Sequence, residues 1–119
     1  MTTDDLDKFY SEVVIPAFEE LKIDLEKQQQ KVNIIRNPEP ISIAINSNSE
    51  EHFSYSIIVK KQAVDNYPSP QVRYKNKGKY HTEGGSFRIG IQNYTIAQIT
   101  KDEIVQDFMT RYESHLQSR

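Results

Sequence analysis

Residues 51–61, EHFSYSIIVKK, constrain the fold more than any other stretch of the chain. Phe53, Tyr55, Ile57 and Val59 alternate with Ser54, Ser56 and Lys60, and only Ile58 breaks the polar side. A period of two carried by aromatic and β-branched residues marks a strand with one buried face. Such a face has to be covered, and the flanking segments have the patterns to do it.

Upstream of this strand, Val32 and Ile34 form a first short alternating run, closed by Asn37-Pro38-Glu39-Pro40, where two prolines forbid both helix and central strand. Ile41, Ile43 and Ile45 alternate with Ser42 and Ala44 to give a second strand, and Asn46 to Glu50 read as the hairpin turn into the long strand. The three make a meander. Downstream, Gln62 to Pro70 read as a loop because of Pro68 and Pro70. Val72 to Lys75 and Lys79 to Glu83 are strands joined by Asn76-Lys77-Gly78, Gly84-Gly85 is a bulge or second turn, and Phe87, Ile89 and Ile91 continue as a further strand.

Helical spacing brackets this β region. At the N-terminal end, Leu6, Phe9, Tyr10, Val13, Val14, Ala17, Phe18, Leu21 and Leu25 form one stripe of a helix expected over Asp4 to Gln30, with Ile15 and Ile23 outside it. Thr2 and Asp5 suit a capping box at its start. Pro16 cannot donate to the carbonyl of Glu12, so the helix must kink there or divide in two. At the C-terminal end, Thr100 and Glu103 form a second capping box, with Ile99 placed to staple against Ile104. The helix from Lys101 to Gln117 carries Ile104, Val105, Phe108, Met109, Tyr112 and Leu116 on its apolar side. Gln106, Asp107, Thr110, Arg111, Glu113 and Ser114 fall on the side assigned to water.

The expected architecture is α+β: an N-terminal helix, an antiparallel sheet of five or six strands and a C-terminal helix, in one domain over residues 1–119. Two amphipathic helices and one sheet pack most simply with both helices across one face. The opposite face then holds Ser42, Ala44, Ser54, Ser56, Ile58, Arg73, Lys75 and Arg88, short and polar enough either to meet water or to pair with a second copy.

The formal net charge of −2 hides a segregation that bears on partners. Residues 1–30 hold eight acids and three bases, whereas residues 60–88 hold seven bases and two acids. The chain has no cysteine, its first residues are acidic where a signal peptide is basic, and no run approaches the roughly 20 apolar residues of a membrane span. A cytoplasmic location follows as the expectation.

No catalytic, metal or cofactor motif stands out. The spacings of His52, His81 and His115 match no metal-ligand pattern, so any clustering has to come from the fold, and His115 in the last turn of its helix suits the negative end of the dipole. The adjacent carboxylates Glu19-Glu20, Glu50-Glu51 and Asp102-Glu103 point to different sides in a helix or strand. Glu83-Gly84-Gly85-Ser86 lacks the lysine and the following helix of a phosphate loop. The segment with most chemical content is VRYKNKGKYH, residues 72–81: Arg73, Lys75, Lys77 and Lys79 at every second position, interleaved with Tyr74, Tyr80 and His81. Bases with aromatics suit an anion or partner, and lysines also guard a sheet edge.

The function expected from these features is that of a small, non-catalytic binding or accessory protein working through protein–protein contacts as a homodimer. Nucleic-acid binding through the hairpin at 72–81 is one alternative, though the overall negative balance weighs against it. The other is a small-molecule site or enzyme with a pocket between sheet and helices, near Tyr55, Tyr74, Tyr80 or His81.

Overall fold

The structure is a computed structural model, and it describes residues 3–36, 41–47, 50–61, 66–85, 87 and 96–117. The sequence-expected strand at Phe87 to Ile91, the position of Arg88, the prolines at 38 and 40 and the Thr2 cap lie outside the described residues, apart from Phe87 itself.

Five strands form one antiparallel sheet in chain order: β1 (Lys31–Ile35), β2 (Ser42–Ser47), β3 (Glu50–Lys61), β4 (Asn66–Asn76) and β5 (Lys79–Gly84). β3 is the long central strand, and Phe53, Tyr55 and Ile57 are all fully buried. Helix α1 (Thr3–Phe9), a π-helical turn (Tyr10–Val14) and α2 (Ile15–Lys27) precede the sheet, and α3 (Lys101–Gln117) follows it.

The Tyr55 ring settles how the layers stack. It meets Phe18 of α2 edge-on at 6.1 Å and Phe108 of α3 at 5.5 Å, so both helices lie on the same face of β3. Phe53 adds Phe108 at 5.6 Å and Tyr112 at 5.2 Å. Fully burying a side chain of this size contributes about 1.5–3 kcal/mol relative to leaving it exposed, so these rings dominate the packing of the layers.

Pro16 acts through the turn before it. Because its nitrogen has no hydrogen for the Glu12 carbonyl, the helix widens, and the Ile15 N–H donates to the carbonyl of Tyr10, five residues back. The two helical halves therefore run on as one widened rod, and Ile15 is drawn half inside against the core while Ile23 stays 56% exposed. At the far end Gln29 takes a positive φ of 67°, the Gln30 N–H reaches Leu25 O at 3.1 Å and the Gln29 N–H reaches Glu26 O at 3.0 Å. These paired bonds form a Schellman stop that sends the chain straight into β1.

Two sequence expectations change here. Residues 66–70 belong to β4 and not to a loop: Pro68 pairs with Val59 and Pro70 with Ile57. The pairing of β5 begins only at Gln71, so this part of β4 has no β5 beside it, and the Pro70 carbonyl points to that side, where it accepts from Gly85 N at 3.1 Å. A proline nitrogen facing away from β3 costs the ladder no bond. The second change is in α3, where Ile104, Phe108, Tyr112 and His115 are buried and Leu116 is 42% exposed. The inward stripe therefore ends on a histidine. The α3 cap forms as expected, Glu103 N donating to Thr100 Oγ1 at 3.2 Å with Ile99 and Ile104 both buried.

Candidate functional site

A cleft of about 560 Å³ opens between α3 and the β3–β5 side of the sheet. Phe53 and Val72 form its apolar lining, Tyr74, Glu83 and Phe87 one wall, and Asp107, Thr110, Arg111, Ser114 and His115 of α3 the other. Asp107, Thr110, Arg111 and Ser114, which helical periodicity assigns to water, thus line the cleft.

Asp107 organises the α3 wall. Its Oδ2 accepts from the buried Tyr55 hydroxyl at 2.7 Å and from Arg111 Nε at 2.8 Å, the arginine standing one helical turn further on. Charge-assisted bonds of this length are the strong ones. A sheet residue, the helix carboxylate and the helix guanidinium are thereby locked together. Arg111 also packs on Gly85, where a side chain of any kind would overlap its terminal nitrogens. Gly85 is held by its own N–H to Pro70 O and by Ser69 Oγ donating to Gly85 O at 2.9 Å.

The histidines gather on the same side. His115 is 5% exposed, with ring contacts to Phe53 at 5.3 Å and Tyr74 at 5.4 Å, and its Nε2 lies 3.3 Å from His52 Nδ1. A hydrogen bond across that gap needs one nitrogen protonated and the other bare. His81 stacks on Tyr74 at 5.4 Å. His81, Tyr74, His115 and His52 therefore form a continuous run of rings. His115 is thus a buried ring seated on Phe53 and Tyr74 beneath the last turn of α3, a packing role that its match to the helix dipole does not announce.

The approach of His52 to His115 comes from an irregularity in β3. Ile45 faces Phe53 but Asn46 faces Glu51, so His52 is the extra residue of a bulge and turns to the helix side. Strict alternation had no place for it there. Among the described residues no group of three or more His, Cys, Asp or Glu side chains is arranged to hold a metal ion.

Tyr74 donates its hydroxyl to Glu83 Oε1 at 2.9 Å, and this bond, with burial and the carboxylate charge, raises the phenol above its ordinary 10.0.

The basic hairpin is divided between the two faces. Lys77 (φ 54°) and Gly78 (φ 80°) make a two-residue turn with both central φ values positive, so Asn76 pairs with Lys79 and Lys75 with Tyr80. Tyr74 and His81 go to the helix side. Tyr80 joins Arg73 and Lys75 on the opposite face, its ring 4.2 Å from the Arg73 guanidinium and 5.7 Å from the Lys75 ammonium. By the same register Lys79 falls on the side of Tyr74 and His81, not with Arg73 and Lys75 as simple alternation along the sequence implies. Arg73 also lies 3.9 Å from Glu51, and the Tyr80 hydroxyl donates to Glu51 O at 3.1 Å. The bases and aromatics of the segment are thus partly engaged with one another. The acidic α2 meets other cations, Glu19 with Arg36 at 3.5 Å and Glu20 with Lys101 at 3.8 Å.

Comparison with known proteins adds one relative. The chain is 23% identical over 112 residues, 94% of its length, to a glycine betaine transporter of Acinetobacter baylyi, and it spans 17% of that transporter. No family model matches. No solved structure matches either. No helix among the described residues is long and apolar enough to cross a membrane.

Proposed function

We propose that the chain is a non-catalytic binding or accessory module, cytoplasmic, that acts through protein–protein contacts as a pair of identical copies. One observation carries this reading: nearly the whole chain aligns with a minor part of a transporter, and no described helix is of the kind that builds a transport path. On the sheet face away from the helices Ser42, Ser54 and Ser56 are half-buried and Ala44 is 2% exposed within the single chain, so that face is not the open surface that alternation along the strands implies. Light scattering on fractions spanning a wide concentration range is the test. The expected mass climbs from 13.9 kDa towards twice that value, and a constant 13.9 kDa contradicts the pairing.

A second reading is favoured by the cleft, whose lining brings together the Arg111 guanidinium, His115 and the aromatic rings of Phe53, Tyr74 and Phe87. A small zwitterion with a carboxylate and a quaternary ammonium suits such walls, the first for the guanidinium and the second for aromatic faces. Glycine betaine is the natural probe. Saturable heat in calorimetric titration, lost in Arg111→Gln, is the expected result, and absence of heat contradicts it.

A further inference from the structure

The charges around the cleft do not balance. Its lining holds Glu83 and Asp107 against Arg111, and a smaller hollow of about 360 Å³ shares Phe87, Asp107 and Thr110 with it and adds Asp102 and Glu103. Four carboxylates therefore meet one guanidinium. Arg111 and Asp107 are largely buried and bonded at 2.8 Å, so the guanidinium is mostly neutralised within its own pair. Asp102 and Glu103 stand in the first turn of α3, where the helix dipole offsets part of their charge. Glu83 has no such compensation, since among the described residues no base forms an ion pair with it.

Glu83 instead accepts the Tyr74 hydroxyl at 2.9 Å. Donating to an anion enriches the phenol ring in electron density and deepens the negative potential of its faces. Tyr74 and Glu83 both line the cleft, and Phe53, Val72 and Phe87 supply apolar surface to the same space. A compact, strongly hydrated cation such as a primary ammonium would lose its water there against hydrocarbon. A quaternary ammonium has no N–H to satisfy and suits the carboxylate, the ring and the apolar lining together.

We propose that the Tyr74 and Glu83 side of the cleft is a subsite for a quaternary ammonium group, which binds there whether or not a carboxylate accompanies it. The inference rests on the second reading of the cleft and deepens it: the positive end of the ligand is required, and a carboxylate at Arg111 adds to it. Glu83 sets this preference. An isostere of the ligand with carbon in place of the charged nitrogen brings only a further anion to a negative surface and is refused.

Calorimetric titration at low ionic strength compares tetramethylammonium, glycine betaine and tert-butylacetate, the carbon isostere of betaine. The first two are expected to saturate, and tert-butylacetate to bind at least about tenfold more weakly than betaine. Glu83→Gln, on the exposed β5, keeps an acceptor for Tyr74 and is expected to raise the dissociation constant of tetramethylammonium about fivefold, as is Tyr74→Leu. Glu113→Gln, exposed on α3 and outside both hollows, leaves it unchanged. Arg111→Gln exposes the carboxylate of betaine to Asp107 and abolishes its heat, while tetramethylammonium still binds. Equal binding of betaine and tert-butylacetate, indifferent to Glu83→Gln, overturns the subsite and leaves the carboxylate end at Arg111 standing. Equal losses in Glu83→Gln and Glu113→Gln make the attraction one of net charge and overturn the assignment to Glu83. Saturation by tetramethylammonium with none by betaine overturns the zwitterion reading and leaves the subsite standing. Saturation by neither overturns both.

Discussion

Removing the Tyr55 hydroxyl isolates the bond that ties the sheet to α3. Tyr55 is fully buried and donates to Asp107 at 2.7 Å, and Asp107 accepts from Arg111 on the same oxygen. A hydrogen bond to a charged group contributes about 1.5–3 kcal/mol. Tyr55→Phe keeps the ring against Phe18 and Phe108 and deletes only that bond, so a loss of about 2 kcal/mol is expected. For a chain of this size that loss lowers the thermal midpoint by roughly 8 °C. Asp107→Asn keeps the shape, removes the charge from both bonds and costs about the same. Because the two changes share one interaction, the double variant should be about 1.5 kcal/mol less destabilised than the sum of the singles. Urea unfolding of the four proteins, followed by tyrosine fluorescence and circular dichroism, measures the cycle. Costs that add to within about 0.4 kcal/mol would mean that the hydroxyl and the carboxylate do not interact, and the sheet-to-helix tie would be refuted.

Other consequences follow from local geometry. Gln29→Gly relieves a non-glycine residue of its positive φ in the α2 stop and should stabilise the chain by about 1 kcal/mol in urea unfolding, whereas Gln29→Val should destabilise it. Lys77→Asn, at φ 54° in the hairpin turn, should stabilise by a few tenths of a kcal/mol to about 1 kcal/mol and leave the fold unchanged. Thr100→Ala removes the α3 cap and should cost about 1 kcal/mol. The folded-state pKa of Tyr74 lies above its unfolded 10.0, so its contribution to stability is complete below pH 10 and is lost as pH rises through the raised value. Ultraviolet titration should show a late-ionising component that moves down in Glu83→Gln; no movement would detach Tyr74 from Glu83.

Much of the fold was legible because period and capping agree. The alternation of Phe53, Tyr55 and Ile57, the Thr100 to Glu103 box and the position of Gly78 each announce a local structure, and the coordinates carry all three. The proline-containing start of β4 was not legible. Whether a proline can sit in a strand depends on which side has a neighbour, and that is a property of the sheet and not of residues 66–70 alone. The cleft was hidden for a related reason. Asp107 and Arg111 read as a solvated pair until Tyr55 is seen to reach them from another layer, and His115 reads as a terminal cation until Phe53 and Tyr74 are beneath it. His52 needed the bulge, whose only trace in the sequence is that the polar side of the long strand begins one residue out of phase.

The cleft and the covered row of the sheet both require α2 and α3 to lie side by side on one face. The ion pair between Glu20 and Lys101, 3.8 Å apart, marks where the two helices come together. With no natural cysteine to compete, Glu20→Cys with Lys101→Cys treated with a short bifunctional thiol reagent measures that proximity directly. Rapid intramolecular cross-linking of the folded chain, abolished in denaturant, is the result expected. A folded double variant that cross-links no faster than the unfolded chain would place the helices apart and contradict the account.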